Sequence, residues 1–160
     1  MKKTFIILLS FLLPLAGLGT LQAQQQQSAN PALPAEITAA FPTAKSVKKV
    51  AKWTEVYNGK KVLLGYAVYS KPASDGIKGY AGETPLMIAL DTKKTIISVQ
   101  LLDNQETPGF VGRVVKAGLL KSWDGLKPAK ACKKKVDAVS GATFSSNSII
   151  QSLQAALKGL

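Results

Sequence analysis

Asp137-Ala-Val-Ser-Gly-Ala-Thr143 leads into the last amphipathic segment of the chain. Apolar residues follow this stretch at helical spacing, which predicts a helix whose buried face carries Ile149, Ile150, Leu153, Ala156 and Leu157. We expect Ser145 or Ser146 to cap the start of this helix and Gly159 to follow its last turn. Thr143 would then lie just before a helix N-terminus, where free backbone N–H groups and the helix dipole favour a phosphate. The ordinary alternative is a serine-rich turn that feeds a terminal helix.

This stretch, an acid followed after two residues by Ser-Gly-Ala-Thr, resembles the flavinylation motif of the FMN-binding domain family. That family includes the covalent-flavin subunits of sodium-pumping quinone reductase and of the Rnf electron-transport complex. Its last threonine carries FMN through a phosphoester bond, which a flavin transferase installs from FAD. The resemblance therefore implies covalent FMN on Thr143, with Ser140, Gly141 and Ala142 in the cofactor-binding segment. It also implies that the FAD-dependent flavin transferase recognises Asp137 during maturation.

A second set of segments supports the resemblance over about residues 65–160. Gly79-Tyr-Ala-Gly82, a hairpin pattern and Glu106-Thr-Pro-Gly109 follow one another as they do in the family. Residues 120–125 are similar to its aromatic-glycine segment. Two departures are Asp103-Asn104-Gln105 before the glutamate and Phe110-Val111 in place of a frequent Leu-Gly.

The resemblance implies that Glu106, Thr107 and Gly109 lie against the flavin. Thr107 would donate a hydrogen bond, and Gly109 would allow close approach. The alternative is a Pro-Gly turn that leads into a helix. The charge state of the ring could be tuned by a nearby aromatic or basic side chain, and the sequence leaves three candidates open: Tyr80, Lys116 and Trp123.

The start of the chain has the pattern of an export signal. Lys2 and Lys3 precede an apolar run over residues 4–21. We expect a signal peptide over residues 1–23, cleaved after Ala23, with a retained membrane anchor as the alternative. A polar linker is expected over residues 24–34, and the FMN-binding domain over residues 35–160. The signal predicts an exported protein at the periplasmic or extracytoplasmic face of the membrane.

Composition narrows the chemistry that the chain can perform. It has 160 residues, a net charge of +12 and no histidine, which removes the commonest general base and most metal sites. Cys132 is the single cysteine and excludes an intramolecular disulfide. The charge suggests an acidic partner or an anionic membrane surface, and the alternative, favoured for most of the lysines, is a solvated basic surface. Nucleic acid is not expected, because Arg113 is the single arginine and the chain carries an export signal.

Strand and helix patterns along the chain predict an α+β fold. Short strands joined by tight turns indicate a twisted antiparallel sheet of about four to six strands flanked by helices. The Asn58-Gly59 pair predicts a hairpin turn, and Cys132 falls in a strand-like segment over residues 131–136. The expected strands are 46–57, 61–69, 86–90 and 96–102, and the expected helices before the last one are 34–41 and 109–120.

The function that these features favour is an electron carrier or redox subunit rather than an enzyme with its own substrate. FMN supplies the chemistry, and the partner would be a redox protein or a membrane electron-transport complex. One alternative is a basic adaptor domain without a cofactor. The other is a serine acyl-transfer enzyme, because Ser46-Val-Lys-Lys49 and Ser145-Ser-Asn147 match two elements of that chemistry, although the third, Lys-Thr-Gly, is missing.

Overall fold

A five-stranded antiparallel sheet forms the centre of the fold. The computed structural model describes residues 32–160, so the predicted signal peptide and residues 24–31 of the predicted linker lie outside the described residues. Neighbouring strands pair in chain order, which confirms the predicted α+β class. The strands are β1 (Ala44–Val50), β2 (Trp53–Asn58), β3 (Leu63–Tyr69), β4 (Leu86–Asp91) and β5 (Ile96–Leu101).

The prediction of one strand over residues 46–57 was wrong, because the chain reverses inside it. Val50 pairs with Trp53 across a tight turn, and Ala51 in that turn has a φ of 43°. This reversal explains why apolar residues over 47–56 do not alternate. The predicted turn at Asn58 is confirmed: its side-chain oxygen accepts the N–H groups of Lys60 and Val62, each at 2.9 Å.

Strand β4 is buried on both of its faces. Leu86, Ile88 and Leu90 pack under the C-terminal helix α4 (Thr143–Leu157), whereas Met87 and Ala89 face the opposite side. Helix α1 (Ala35–Ala40) covers that opposite side and lies within the predicted helix 34–41. Helices therefore cover both faces of the sheet at β4. A binding site is then expected at the ends of the strands or at the helix termini rather than on a face of β4.

The regular elements that follow β5 are all helices, and the first three are short. Helix α2 (Pro108–Lys116) is followed by a 3-10 helix (Leu119–Trp123) and by α3 (Pro128–Ala131). The predicted helix 109–120 is therefore too long, since Gly118 adopts a φ of 74° and ends it. Among the described residues, no helix is both long and apolar enough to pass through a bilayer.

The prediction of a strand over residues 131–136 was also wrong. Pro128 fixes a backbone angle suited to the first helical turn, so this segment begins in α3. Three exposed lysines follow over residues 133–135, and they could not enter a buried sheet. Cys132 is half-buried, with its thiol 3.5 Å from the carbonyl oxygen of Gln154.

Helix α4 carries the predicted apolar face. Its buried residues include Ile149, Ile150, Leu153 and Leu157, and Ala156 is partly buried. The predicted cap was wrong: α4 begins at Thr143 itself, Ala142 occupies the N-cap position, and no side chain caps the helix. The two serines are engaged elsewhere, because Ser146 donates to the carbonyl of Ala142 at 2.8 Å and Ser145 donates to Glu106.

We expect Leu153→Ala to lower the free energy of unfolding by about 3 kcal/mol, because it leaves a cavity between α4 and the sheet. Leu153 is fully buried there. Gln151→Ala is the matched control, since Gln151 is exposed on the same helix and its truncation should change stability by less than about 0.5 kcal/mol. Urea denaturation of both variants measures the difference. Equal losses would contradict the packing of α4 described here.

Candidate functional site

A cavity lies at the N-terminal end of α4, where the Ser-Gly-Ala-Thr segment meets α2. Its volume is about 270 Å³. Two of the aromatic rings along it, Tyr80 and Phe110, contact edge to face with centroids 5.0 Å apart. The side chain of Phe144 is 68% exposed and that of Tyr80 is 64% exposed. The residues that line the cavity are Tyr80, Phe110, Gly141, Ala142, Thr143, Phe144 and Ser145.

The backbone at this helix start is free to receive an acceptor. The first N–H groups of a helix have no intrahelical partner, and no side chain caps α4. Val139 holds the preceding turn: its carbonyl accepts the N–H of Ala142 at 3.0 Å, and its own N–H donates to the hydroxyl of Ser146 at 3.1 Å. The positive end of the α4 dipole therefore lies at Thr143, which is the first residue of the helix and is exposed.

The carboxylate of Glu106 joins this helix start to the turn over residues 79–82. Its Oε1 accepts the N–H groups of Ala81 at 2.8 Å and of Gly82 at 2.9 Å, and its Oε2 accepts the hydroxyl of Ser145. Glu106 is only 5% exposed. A Cβ on Gly79 would lie 2.5 Å from Oε1, so the turn closes on the carboxylate because residue 79 is glycine.

Hydrogen bonding keeps Glu106 ionised despite its burial. Burial alone would raise the pKa of this carboxyl. The hydroxyl of Ser145 and the backbone N–H groups of Gly82, Ala81 and Tyr80 together outweigh burial and hold the pKa below its ordinary value. The site therefore contains a buried anion whose charge is satisfied inside the protein.

The structure brings the predicted residues of the 137–143 motif to the cavity or beside it. Gly141, Ala142 and Thr143 line the cavity. Ser140 is exposed next to Gly141, and Asp137 is exposed at the start of the segment. The exposure of Asp137 leaves its carboxylate open to another protein.

The residues predicted from Glu106-Thr-Pro-Gly109 lie next to residues that line the cavity. Glu106 lies behind Ser145, and Thr107 is the half-buried N-cap residue of α2. Gly109 is in the first turn of that helix, with no atom within 4 Å of an added Cβ. Helix α2 in turn presents Phe110 to the cavity. Neither Glu106, Thr107 nor Gly109 lines it.

Of the residues considered for tuning the ring, only Tyr80 lines the cavity. Trp123 is fully buried in the main core and does not line the cavity. Lys116 is exposed in the last turn of α2.

The sequence did not indicate that Ser145 is the partner of Glu106, because the two are 39 residues apart. The sequence analysis also did not predict that Phe110 lines the cavity. The one signal that could have indicated it is its position directly after Glu106-Thr-Pro-Gly109.

The geometry does not support the serine acyl-transfer alternative. Ser46 and Lys49 lie three residues apart on β1, and side chains at odd spacing on a strand point to opposite faces. Ser145 is held by a carboxylate rather than by a lysine.

A larger cavity of about 630 Å³ lies near the other end of α4 and is lined by Trp53, Tyr69, Ala155 and several lysines. It contains none of the predicted site residues. The smaller cavity remains the candidate site, because the motif residues and the free helix N-terminus converge there.

Comparisons with known proteins show which family the chain resembles. The family model of the FMN-binding domain matches residues 79–158, which is half of the chain and includes both the 79–82 turn and the 137–143 motif. One component of the ion-translocating oxidoreductase complex of Stutzerimonas stutzeri is 33% identical over 91 residues, covering 50% of this chain and 40% of that protein. The chain thus aligns with less than half the length of this curated relative. The crystal structure of NqrC from Shewanella oneidensis superimposes with a TM-score of 0.46 at 21% identity, over 71% of this chain and 62% of that one.

We expect Glu106→Ala to lower the free energy of unfolding by about 3 kcal/mol, because the buried hydroxyl and N–H groups lose their common acceptor. Asp137→Ala is the matched control, since that carboxylate is exposed and its removal should cost less than about 0.5 kcal/mol. Urea denaturation of the flavin-free proteins makes the comparison. A loss for Glu106→Ala no larger than that of the control would contradict the buried network.

The same carboxylate should make stability depend on pH. Its folded pKa lies below the unfolded value, which is about 4.3, so its contribution is present above that value and is lost as the pH falls through the folded pKa. The gap in urea midpoint between wild type and Glu106→Gln should therefore be widest near pH 7 and should narrow below about pH 4. A gap that widens in acid would contradict the ionised state.

Proposed function

Because the chain belongs to the FMN-binding domain family, we propose that it is an extracytoplasmic electron-transfer flavoprotein that carries FMN on Thr143 through a phosphoester bond. The observation that carries this proposal is the position of Thr143. It is exposed, it is the first residue of α4, and it lines an aromatic cavity within the segment that the family model covers.

The described residues fit two parts of FMN, its phosphate and its ring system. The exposed hydroxyl of Thr143 suits esterification by the phosphate. The free N–H groups and the dipole of the α4 N-terminus suit the negative charge of that phosphate. The rings of Tyr80, Phe110 and Phe144 suit a flat apolar ring system, which prefers aromatic neighbours.

Attachment balances as a transfer from FAD by a flavin transferase. The hydroxyl oxygen of Thr143 forms a bond to the flavin-side phosphorus, the anhydride P–O bond breaks, and AMP leaves while the hydroxyl proton is lost. The exposed Asp137 is available for recognition by the transferase. A covalent link makes rebinding of the flavin intramolecular, so an exported carrier would not lose it by dilution.

Bound FMN would supply the redox chemistry, accepting and donating one or two electrons. The protein orients the ring and leaves it accessible to a partner. The cavity is slightly smaller than the roughly 300–1,000 Å³ typical of ligand pockets, and two of its rings are more than half exposed. An edge of the flavin would therefore stay open, as transfer of electrons between proteins requires.

The proposed partner is a membrane electron-transport complex. The relative from Stutzerimonas stutzeri is named as a component of an ion-translocating oxidoreductase complex. Removal of residues 1–23 takes away Lys2 and Lys3 and no acidic residue, and the resulting net charge of (21 − 2) − 9 = +10 would favour docking to an acidic protein or an anionic membrane surface. Export of the chain through its signal would place the flavin on the extracytoplasmic side.

Thr143→Ala should abolish attachment. Wild-type protein matured with a flavin transferase should stay yellow after denaturation and gain the mass of one FMN less one water, and the variant should do neither. Thr143→Ser keeps a hydroxyl and should retain some flavin. Ser140→Ala is the matched control, because it removes an exposed hydroxyl three residues away and should at most lower the yield. Covalent flavin on Thr143→Ala would contradict the assignment.

The native protein should begin near Gln24. Cleavage after Ala23 would remove the basic and apolar start of the chain, and N-terminal sequencing of protein from the extracytoplasmic fraction checks it. Full-length protein in the membrane would favour a retained anchor. Full-length protein in the cytosol would contradict export.

A further inference from the structure

Arg113 lies beside the attachment segment and has no part in the function proposed so far. It is the single arginine among 21 cationic residues, and its side chain is exposed on α2. Its Nη1 donates to the carbonyl oxygen of Gly141 at 3.3 Å. That carbonyl precedes Thr143 by two residues, so the guanidinium lies at the edge of the segment that receives FMN.

The backbone at Gly141 permits this approach. Gly141 has a φ of 74°, a conformation that favours glycine, and a Cβ at this position would lie 2.3 Å from Nη1. A side chain at 141 would therefore displace the guanidinium. Glycine at this position serves both the turn and the contact with Arg113.

The charge of Arg113 is not neutralised by a carboxylate. Both ion pairs among residues 32–160 involve Lys71, with Asp75 and with Glu83. The nearby anion, Glu106, is satisfied by Ser145 and by backbone N–H groups. A guanidinium carries five N–H donors, and the bond to Gly141 uses one of them.

Arginine and the helix start together form a site for a phosphate. A guanidinium binds phosphate oxygens through paired hydrogen bonds and gives up its hydration more readily than an ammonium group. The free N–H groups of α4 begin at Thr143, two residues after the carbonyl that Arg113 contacts. After esterification the phosphate is a diester with one negative charge, which one guanidinium balances.

We propose that Arg113 binds the phosphate of the FMN attached to Thr143 and fixes it against the N-terminus of α4. This inference rests on the function proposed above. Arg113 is a positioning residue in this role. The competing role is purely structural, in which Arg113 only holds the carbonyl of Gly141. The two roles differ in one respect, since a structural role is the same with and without flavin.

A thermodynamic cycle of four proteins distinguishes phosphate binding by Arg113 from a purely structural role. Wild type and Arg113→Gln are each prepared without the transferase, as flavin-free protein, and with it, as the purified flavinylated fraction. Thermal unfolding is measured for all four. We expect Arg113→Gln to lower Tm by about 3 °C more in the flavinylated protein than in the flavin-free protein. Arg113→Lys should retain part of the difference, because it keeps the charge but loses the paired hydrogen bonds.

Lys116→Gln is the matched control. It removes the same charge from the same exposed helix one turn away and should shift Tm equally in both forms. The phosphorus NMR signal of the diester gives a second readout, which should move in Arg113→Gln and stay in Lys116→Gln.

Equal Tm losses in the two forms, with an unmoved phosphorus signal, would overturn the role of Arg113 while leaving flavinylation intact. A lower yield of flavin with no difference in the cycle would overturn it as well, because it would assign Arg113 to the transferase encounter. Absence of FMN from Thr143 by intact mass would instead refute the proposed function, and this inference with it.

Discussion

The buried carboxylate of Glu106 is the interaction on which the site depends. Removing a charge from water is costly unless hydrogen bonds replace its hydration, and here Ser145, Ala81 and Gly82 replace it. These donors come from two distant parts of the chain, the 79–82 turn and the first turn of α4. One anion thus fixes the turn that carries Tyr80 relative to the helix that begins at Thr143. A second buried contact, between the hydroxyls of Thr84 and Ser148 at 2.8 Å, reinforces the same junction.

The hydrogen bonds around Glu106 also affect the electrostatic potential in the cavity. The family resemblance implied that Glu106 lies against the flavin, where a carboxylate would lend the ring negative potential. In the structure Ser145 lies between the carboxylate and the cavity, and donors surround the charge. Two positive groups adjoin the residues that line the cavity: α4 begins at Thr143, and Arg113 donates to the carbonyl of Gly141. A cofactor bound there would meet a positive field at its phosphate, while the internal anion serves mainly to hold the walls together.

What the sequence could predict depended on the range of the interactions involved. The hairpin of β4 and β5 and the turn at Asn58 follow from local patterns, and they were predicted. The reversal at Ala51 was missed because no glycine or asparagine marks it, although the residue adopts a positive φ. The lysines over 133–135 argued against a strand, but the apolar residues on either side of them outweighed that signal. The bond between Glu106 and Ser145 spans 39 positions, so no local pattern predicts it. The motif resemblance indicated the candidate site, whereas the packing of the residues around it depends on contacts between distant segments that only the structure shows.

The local structure also favours one hydroxyl among many for the proposed flavin attachment. Residues 140–148 contain four serines and one threonine. Ser145, Ser146 and Ser148 are buried, and each donates its hydroxyl to an acceptor within the protein. A hydroxyl so engaged is shielded from a transferase and would leave a buried acceptor unpaired if it were esterified. Of the exposed hydroxyls in this segment, Ser140 precedes the cavity and Thr143 lines it at the free helix N-terminus. Burial of the competing serines therefore supports Thr143 as the attachment residue on grounds independent of the motif.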